Sequence, residues 1–200
     1  VGGTVVLQNP KEIGHGYALP GDKLKRPEGG KLTWKFEAEK VHDFMWAADT
    51  NYKHDIAKTS DGLTIHFLYK DEPDLYDNWK SLQDYSVKLF DFASATFGQY
   101  PWSQYSVIQG GDGGMEYPMA TLITGKRGRV RLGCVTVHEV MHSWYQGALA
   151  TNEGYYSWMD EGFTQFSSGK VMSHLFNPDE DTRTGRYYDS YLNLANSGKE

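Results

Sequence analysis

His138-Glu139-Val140-Met141-His142 is the stretch from which the rest of this chain can be ordered. It lies inside a run, Leu132 to Ala148, that reads as a helix with Leu132, Val135, Met141 and Ala148 as candidates for its packed side. Positions four apart share a helical face, so the imidazoles of His138 and His142 can reach one ion while Glu139 stands beside it. Two helical histidines also occur as ordinary core or surface residues. A third ligand separates the readings, because a hydrolytic zinc site needs three protein donors and one open position. Glu161, in Trp158-Met159-Asp160-Glu161-Gly162-Phe163, follows His142 after eighteen intervening residues. It falls near the start of a second helix, expected over Asp160 to Phe176, and a helix–loop–helix turn brings it back against the histidine pair. The plainer reading is a carboxylate at a helix N-terminus.

Working outward, the preceding segment contains a Gly-rich turn, Gly110-Gly111-Asp112-Gly113-Gly114, leading into Met115-Glu116-Tyr117-Pro118. Strands are expected at Tyr105 to Gln109 and Ala120 to Thr124 on either side. A helix is expected over Asn78 to Phe97, where Leu82, Tyr85, Leu89, Ala93 and Phe97 recur at helical spacing and Gly98 stops the run. Thr64 to Tyr69 alternates as a strand, with Ile65, Phe67 and Tyr69 on one face. The polar stretch Asp49 to Asp55 reads as a boundary. Before it lie strand candidates at Thr4 to Leu7, Leu32 to Ala38 and Asp43 to Ala48, with a Pro/Gly-punctuated connection over 8–30. Too few strands for an independent domain, they read as the end of a β domain. After Phe176 a polar loop over 177–186 is expected, then a short helix over Tyr187 to Leu194.

Composition narrows the class. Of 200 residues, 39% are apolar and 23% charged, which excludes a disordered chain. The net charge of −6 argues against a nucleic-acid-binding domain. No apolar run reaches the roughly eighteen residues a membrane span needs. One cysteine, Cys134, permits no intrachain disulfide. The chain opens on Val1-Gly2-Gly3-Thr4 without Met and closes on a polar run, which reads as a piece of a longer protein. The expected compartment is an exported one, periplasmic or extracellular.

Three elements taken together, Gly113-Gly114-Met115-Glu116, His138 to Trp144, and Trp158 to Gly162, resemble in order and spacing the zinc aminopeptidases related to aminopeptidase N and leukotriene hydrolase, a gluzincin family. The resemblance covers about residues 50–200, and 32–52 more loosely. It implies an α+β chain: residues 1–52 as the end of an N-terminal β domain, and 53–200 as the front part of a thermolysin-like zincin catalytic domain. It implies one zinc ion on His138, His142 and Glu161, with Glu139 as general base and then acid. Glu116 would bind the α-ammonium of a peptide with a free N-terminus, and Gly113, Gly114 and Met115 would line the path of its backbone. Two departures stand out: Tyr117-Pro118 where the family often has Asn, and Asp160 where Asn is frequent, which adds a charge beside the metal ligand. The family's oxyanion-stabilising Tyr is expected beyond Glu200, so residues 1–200 alone should be a poor enzyme; Tyr187, Tyr188 and Tyr191 come too early for that role. Trp144, Trp158 and Tyr117 read as core or cleft wall, and His42, His54, His66 and His174 as non-ligands. The rival readings are a related metallo-hydrolase, either endopeptidase or epoxide hydrolase, and a non-catalytic peptide-binding scaffold. Nothing in the sequence specifies side-chain preference or oligomeric state.

Overall fold

The computed structural model describes residues 4–7, 40–49, 51–111, 113–176 and 182–198. The strand expected over Leu32 to Ala38 and the connection over 8–30 lie outside them. Mixed α/β architecture is built on a five-stranded sheet. Strand β1 (Thr4–Leu7) pairs antiparallel with β2 (Trp46–Asp49) as a separate ribbon, Val5 opposite Ala48. The sheet contains β3 (Tyr52–Lys58), β4 (Thr64–Lys70), β5 (Gln104–Gln109), β6 (Met115–Tyr117) and β7 (Ala120–Ile123), in the order β3-β4-β5-β7-β6. The central pairs β4/β5 and β5/β7 are parallel, and the two edge strands run antiparallel to their neighbours.

Parallel strands are covered on both faces, and that is what β4 and β5 show. Ile65, Phe67, Tyr69, Tyr105 and Val107 enter the main core with the helices, while Leu68 and Ile108 pack on the other face with Met45 and Ala47 of the ribbon. The alternation in β4 is therefore not the half-exposed one its period suggests: His66 and Leu68 are buried as well. Most of the polar stretch read as a boundary, from Tyr52 on, belongs to strand β3. An edge strand tolerates polar residues because half its side chains meet solvent. Its partly buried Asp55 accepts hydrogen bonds from Tyr69 Oη at 2.5 Å, Lys80 Nζ at 2.9 Å and Gln83 Nε2 at 2.9 Å.

Helix α1 (Pro73–Phe97) starts one turn earlier than its apolar stripe, since Pro73 is preset for the first helical turn. It ends at Gly98, whose φ of 109° few other residues adopt. Its buried side brings Trp79, Leu82, Leu89, Phe90 and Ala93 onto the sheet. Helix α2 (Arg129–His142) continues as a π-helical turn over Ser143–Ala148, not as one α-helix to Ala148. There the Trp144 Nε1–H donates to Gly98 O at 2.7 Å and anchors the turn under the end of α1. A second π-helical turn, Trp158–Gly162, runs into α3 (Phe163–Phe176). Trp144 is core, whereas Trp158 is 63% exposed and its ring lies beside that of Phe163. Helix α4 (Thr182–Asn196) begins earlier than expected and carries Tyr188 and Tyr191 on its solvent side. Among the described residues no helix is long and apolar enough to cross a membrane.

Candidate metal centre

The helical repeat of α2 sets the site. His138 and His142 stand one above the other, with their Nε2 atoms 3.2 Å apart. The wider π-helical turn at Trp158–Gly162 presents two consecutive carboxylates to that pair. Glu161 Oε2 lies 3.2 Å from His138 Nε2 and 3.7 Å from His142 Nε2. Donors held about 2.0–2.2 Å from a tetrahedral ion stand roughly 3.3–3.6 Å from one another. The triangle of two imidazole nitrogens and one carboxylate oxygen has this size, so the donor set fits one ion with a fourth direction left for water or substrate.

Asp160 points to the opposite side of the same imidazole. Its Oδ1 accepts from His142 Nδ1 at 2.5 Å, with both side chains almost wholly buried. Thr164 Oγ1 adds a contact to Nδ1 at 3.3 Å. Fixing the proton on Nδ1 leaves Nε2 as the lone-pair nitrogen and locks the ring, the usual arrangement behind a ligating histidine. In sequence Asp160 marks only an added charge beside the third ligand. The adjacent Asp-Glu pair was the available signal: one carboxylate set against the two Nε2 atoms, the other against His142 Nδ1.

Glu139 follows His138 on the helix and is buried at 6% exposure. Burial, only partly offset by His142, pushes its carboxyl up to about 7, and the neighbouring Glu116 and Glu161 charges add to the shift. Burial likewise raises Glu116. At His138 burial holds the imidazole below its ordinary range. At His142 burial acts the same way but is overcome by the Asp160 hydrogen bond and the surrounding carboxylates, so its pKa rises.

The hairpin β6–β7 delivers the Gly-rich segment to this cluster. Along β6 successive side chains alternate, so Glu116 turns inward, its Oε1 3.8 Å from His142 Nδ1, while Met115 is 40% exposed and points away. Gly114 lies directly against the Glu139 carboxylate: a Cβ there would overlap Glu139 Oε1 and touch Val135 Cγ2 at 3.4 Å. Only glycine lets the strand approach this closely. Gly113 is held from outside by Arg127, whose Nη2 donates to its carbonyl at 2.7 Å, a contact with no counterpart in the sequence reading. The structure thus brings His138, His142, Glu161, Glu139, Glu116 and Gly114 together, with Gly113 at the rim and Met115 outside. Among the described residues the other histidines lie elsewhere: His54 and His66 contact one another at 2.9 Å, His42 contacts Gln146, and His174 stacks on Phe92.

No protein-family model matches the chain. It is 33% identical over 115 residues to aminopeptidase B of Homo sapiens, covering 52% of this chain and 17% of that protein. It is 33% identical over 104 residues to aminopeptidase B of Mus musculus, covering 47% and 16%. It therefore spans about a sixth of the length of the curated relatives it matches. Among solved structures, the aminopeptidase A of Legionella pneumophila in complex with aspartic acid superposes with a TM-score of 0.52 at 18% identity, over 68% of this chain and 18% of that one. The last likeness concerns fold alone. Over about half of its length the chain is thus similar in sequence to a segment of aminopeptidase B, and it shares its fold with a segment of a solved aminopeptidase.

Proposed function

We propose that this segment is the metal-holding part of a zinc-dependent aminopeptidase with a thermolysin-like catalytic domain, one that removes N-terminal residues from peptides. One observation carries the reading: the His138, His142 and Glu161 donor atoms lie at tetrahedral spacing, with Glu139 buried and Glu116 partly buried on their flanks. Names of the sequence relatives support a peptidase acting at chain ends.

Zinc, when bound by these three residues, would polarise the scissile carbonyl and make water acidic near neutral pH. Glu139, a buried carboxylate beside the donor atoms, is suited to take the proton of the attacking water and return it to the departing amine. Glu116 offers a carboxylate to a free α-ammonium, which would restrict cleavage to the first peptide bond. Strand β6 is the last strand of the sheet. Its outer edge can take an extended peptide as an added strand, with main-chain hydrogen bonds setting the register. Asp160 keeps the His142 ring in place throughout.

A panel of aminoacyl arylamides, with N-acetylated peptides as controls, tests the reading on full-length protein stripped of metal and reloaded with zinc. Cleavage of free-amine substrates alone, restored by zinc, is expected; equal cleavage of the acetylated controls would overturn the exopeptidase assignment. His138→Ala should lose the bound zinc in elemental analysis, while His174→Ala, which alters a ring stacked on Phe92 outside the site, should keep it.

A further inference from the structure

A cavity of about 320 Å³ adjoins the metal-ligand cluster on its His138 side. Helix α2 supplies one wall through Arg131, Cys134, Val135 and His138, which at steps of three and four form one stripe. Helix α3 supplies the other through Gln165 and Ser168, and Arg127 closes the rim. The chemistry of this lining is opposite to that of the cluster beside it. Glu116, Glu139, Asp160 and Glu161 crowd around the ligands, yet the cavity wall contains two guanidiniums and no carboxylate. Among the described residues neither Arg127 nor Arg131 takes part in an ion pair. Arg127 spends donors on the neutral acceptors Gly113 O and Thr124 Oγ1, which leaves further N–H groups of its five. Ser168 is only 2% exposed, and its Oγ reaches no hydrogen-bond partner. A buried hydroxyl in that state costs about 1–3 kcal/mol unless something else satisfies it.

Direction follows from the two flanks. Glu116 approaches His142 at its Nδ1 edge, next to Glu139, and the cavity meets the cluster at His138. A peptide whose ammonium meets Glu116 and whose scissile carbonyl lies at the Nε2 atoms of His138 and His142 then runs on towards His138 and the cavity. What it presents to the cavity is the residue after the bond being cut. We infer that this cavity selects a carboxylate on that residue, either an Asp or Glu side chain in second position or the free C-terminus of a dipeptide. Arg131 and Arg127 supply the charge, and the Ser168 hydroxyl and Gln165 amide supply further donors. The inference rests on the aminopeptidase reading for its direction, though not for the chemistry of the lining.

The test uses zinc-loaded full-length protein and three substrates: amidated Ala-Glu, amidated Ala-Gln, and Ala-Gln with its free carboxylate. A charge-assisted contact to a solvent-accessible guanidinium should raise kcat/KM about five- to tenfold over amidated Ala-Gln. A gain for amidated Ala-Glu identifies the side chain as the source, and a gain for the free acid identifies the C-terminus. Arg131→Gln should bring the ratio to within about twofold. Arg129→Gln, which removes a cation engaged with Tyr85 Oη outside the cavity, should leave it intact. Calorimetry on zinc-loaded Glu139→Gln protein reads the same ratios as affinities without turnover. Ratios near one in the wild type, or ratios that survive Arg131→Gln, overturn the inference. Should none of the peptides be cleaved, the aminopeptidase reading fails. The calorimetric ratio then decides the cavity alone: a carboxylate preference lost with Arg131 supports it, and equal affinities refute it.

Discussion

Replacing Asp160 probes whether the residues behind His142 matter to metal binding. The Asp160 carboxylate accepts from His142 Nδ1 at 2.5 Å, with side-chain exposures of 4% and 1%. Solvent can therefore neither screen the contact nor substitute for it. Hydrogen bonds to a charged group contribute about 1.5–3 kcal/mol, and neutral ones about 0.5–1.5 kcal/mol. Asp160→Asn keeps an acceptor oxygen in the same place and loses the charge, so the difference, roughly 1–1.5 kcal/mol, is the expected cost. In zinc affinity that is about tenfold. Asp160→Ala is more severe: the Nδ1–H has only the longer Thr164 contact left, and the ring is free to turn. A loss of about a hundredfold is expected, the upper end for groups that orient metal ligands. Competition with a chromophoric chelator measures both variants, with circular dichroism confirming that they fold. Wild-type zinc affinity in Asp160→Ala would refute the argument that this carboxylate orients the ligand.

Glu139→Gln should abolish peptide hydrolysis while retaining zinc, read by turnover and metal content. In the metal-free protein the Glu139 carboxyl is raised from 4.5 to about 7, so burying its charged form destabilises the fold. Its contribution is intact below about pH 4.5 and lost as pH rises through 7. Urea unfolding in chelator should show Glu139→Gln gaining on the order of 2–3 kcal/mol relative to wild type between pH 4.5 and 8. Gly114→Ala drives a methyl into the Glu139 carboxylate, so kcat should fall about a hundredfold or more with zinc content unchanged, because the base is displaced and the ligands are not. Glu116→Gln should lower kcat/KM on free-amine substrates about tenfold to a hundredfold at unchanged zinc occupancy; full activity in an aminoacyl arylamide assay would remove Glu116 from substrate binding.

What could be read in the sequence is what short periods encode. A helix carries side chains four apart on one face whatever it packs against, so the His138/His142 pair with Glu139 beside it was legible before any fold. The burial of α1 was legible for the same reason, through Leu82, Leu89 and Ala93. Strand β3 was not, because an edge strand satisfies its polar side chains through partners such as Lys80 and Gln83, which follow it in the chain by more than twenty residues. The two π-helical turns were not legible either: an extra residue per turn leaves no periodic mark over five or six residues.

Local spacing thus determined which residues could act as donors or base in α2, namely His138, His142 and Glu139, and offered Glu161 of the Trp158–Gly162 turn as a third donor. Tertiary structure decided how far apart those donors stand and what surrounds them. Asp160 behind His142, Gly114 against Glu139, and the Gln165 and Ser168 wall that faces Arg131 each depend on packing between elements that do not adjoin in the chain. Burial and charge at a site sum over all such neighbours. Hence the order of residues named the candidate donors, and only the packed chain raised the Glu139 carboxyl and closed the cavity beside His138 between α2 and α3.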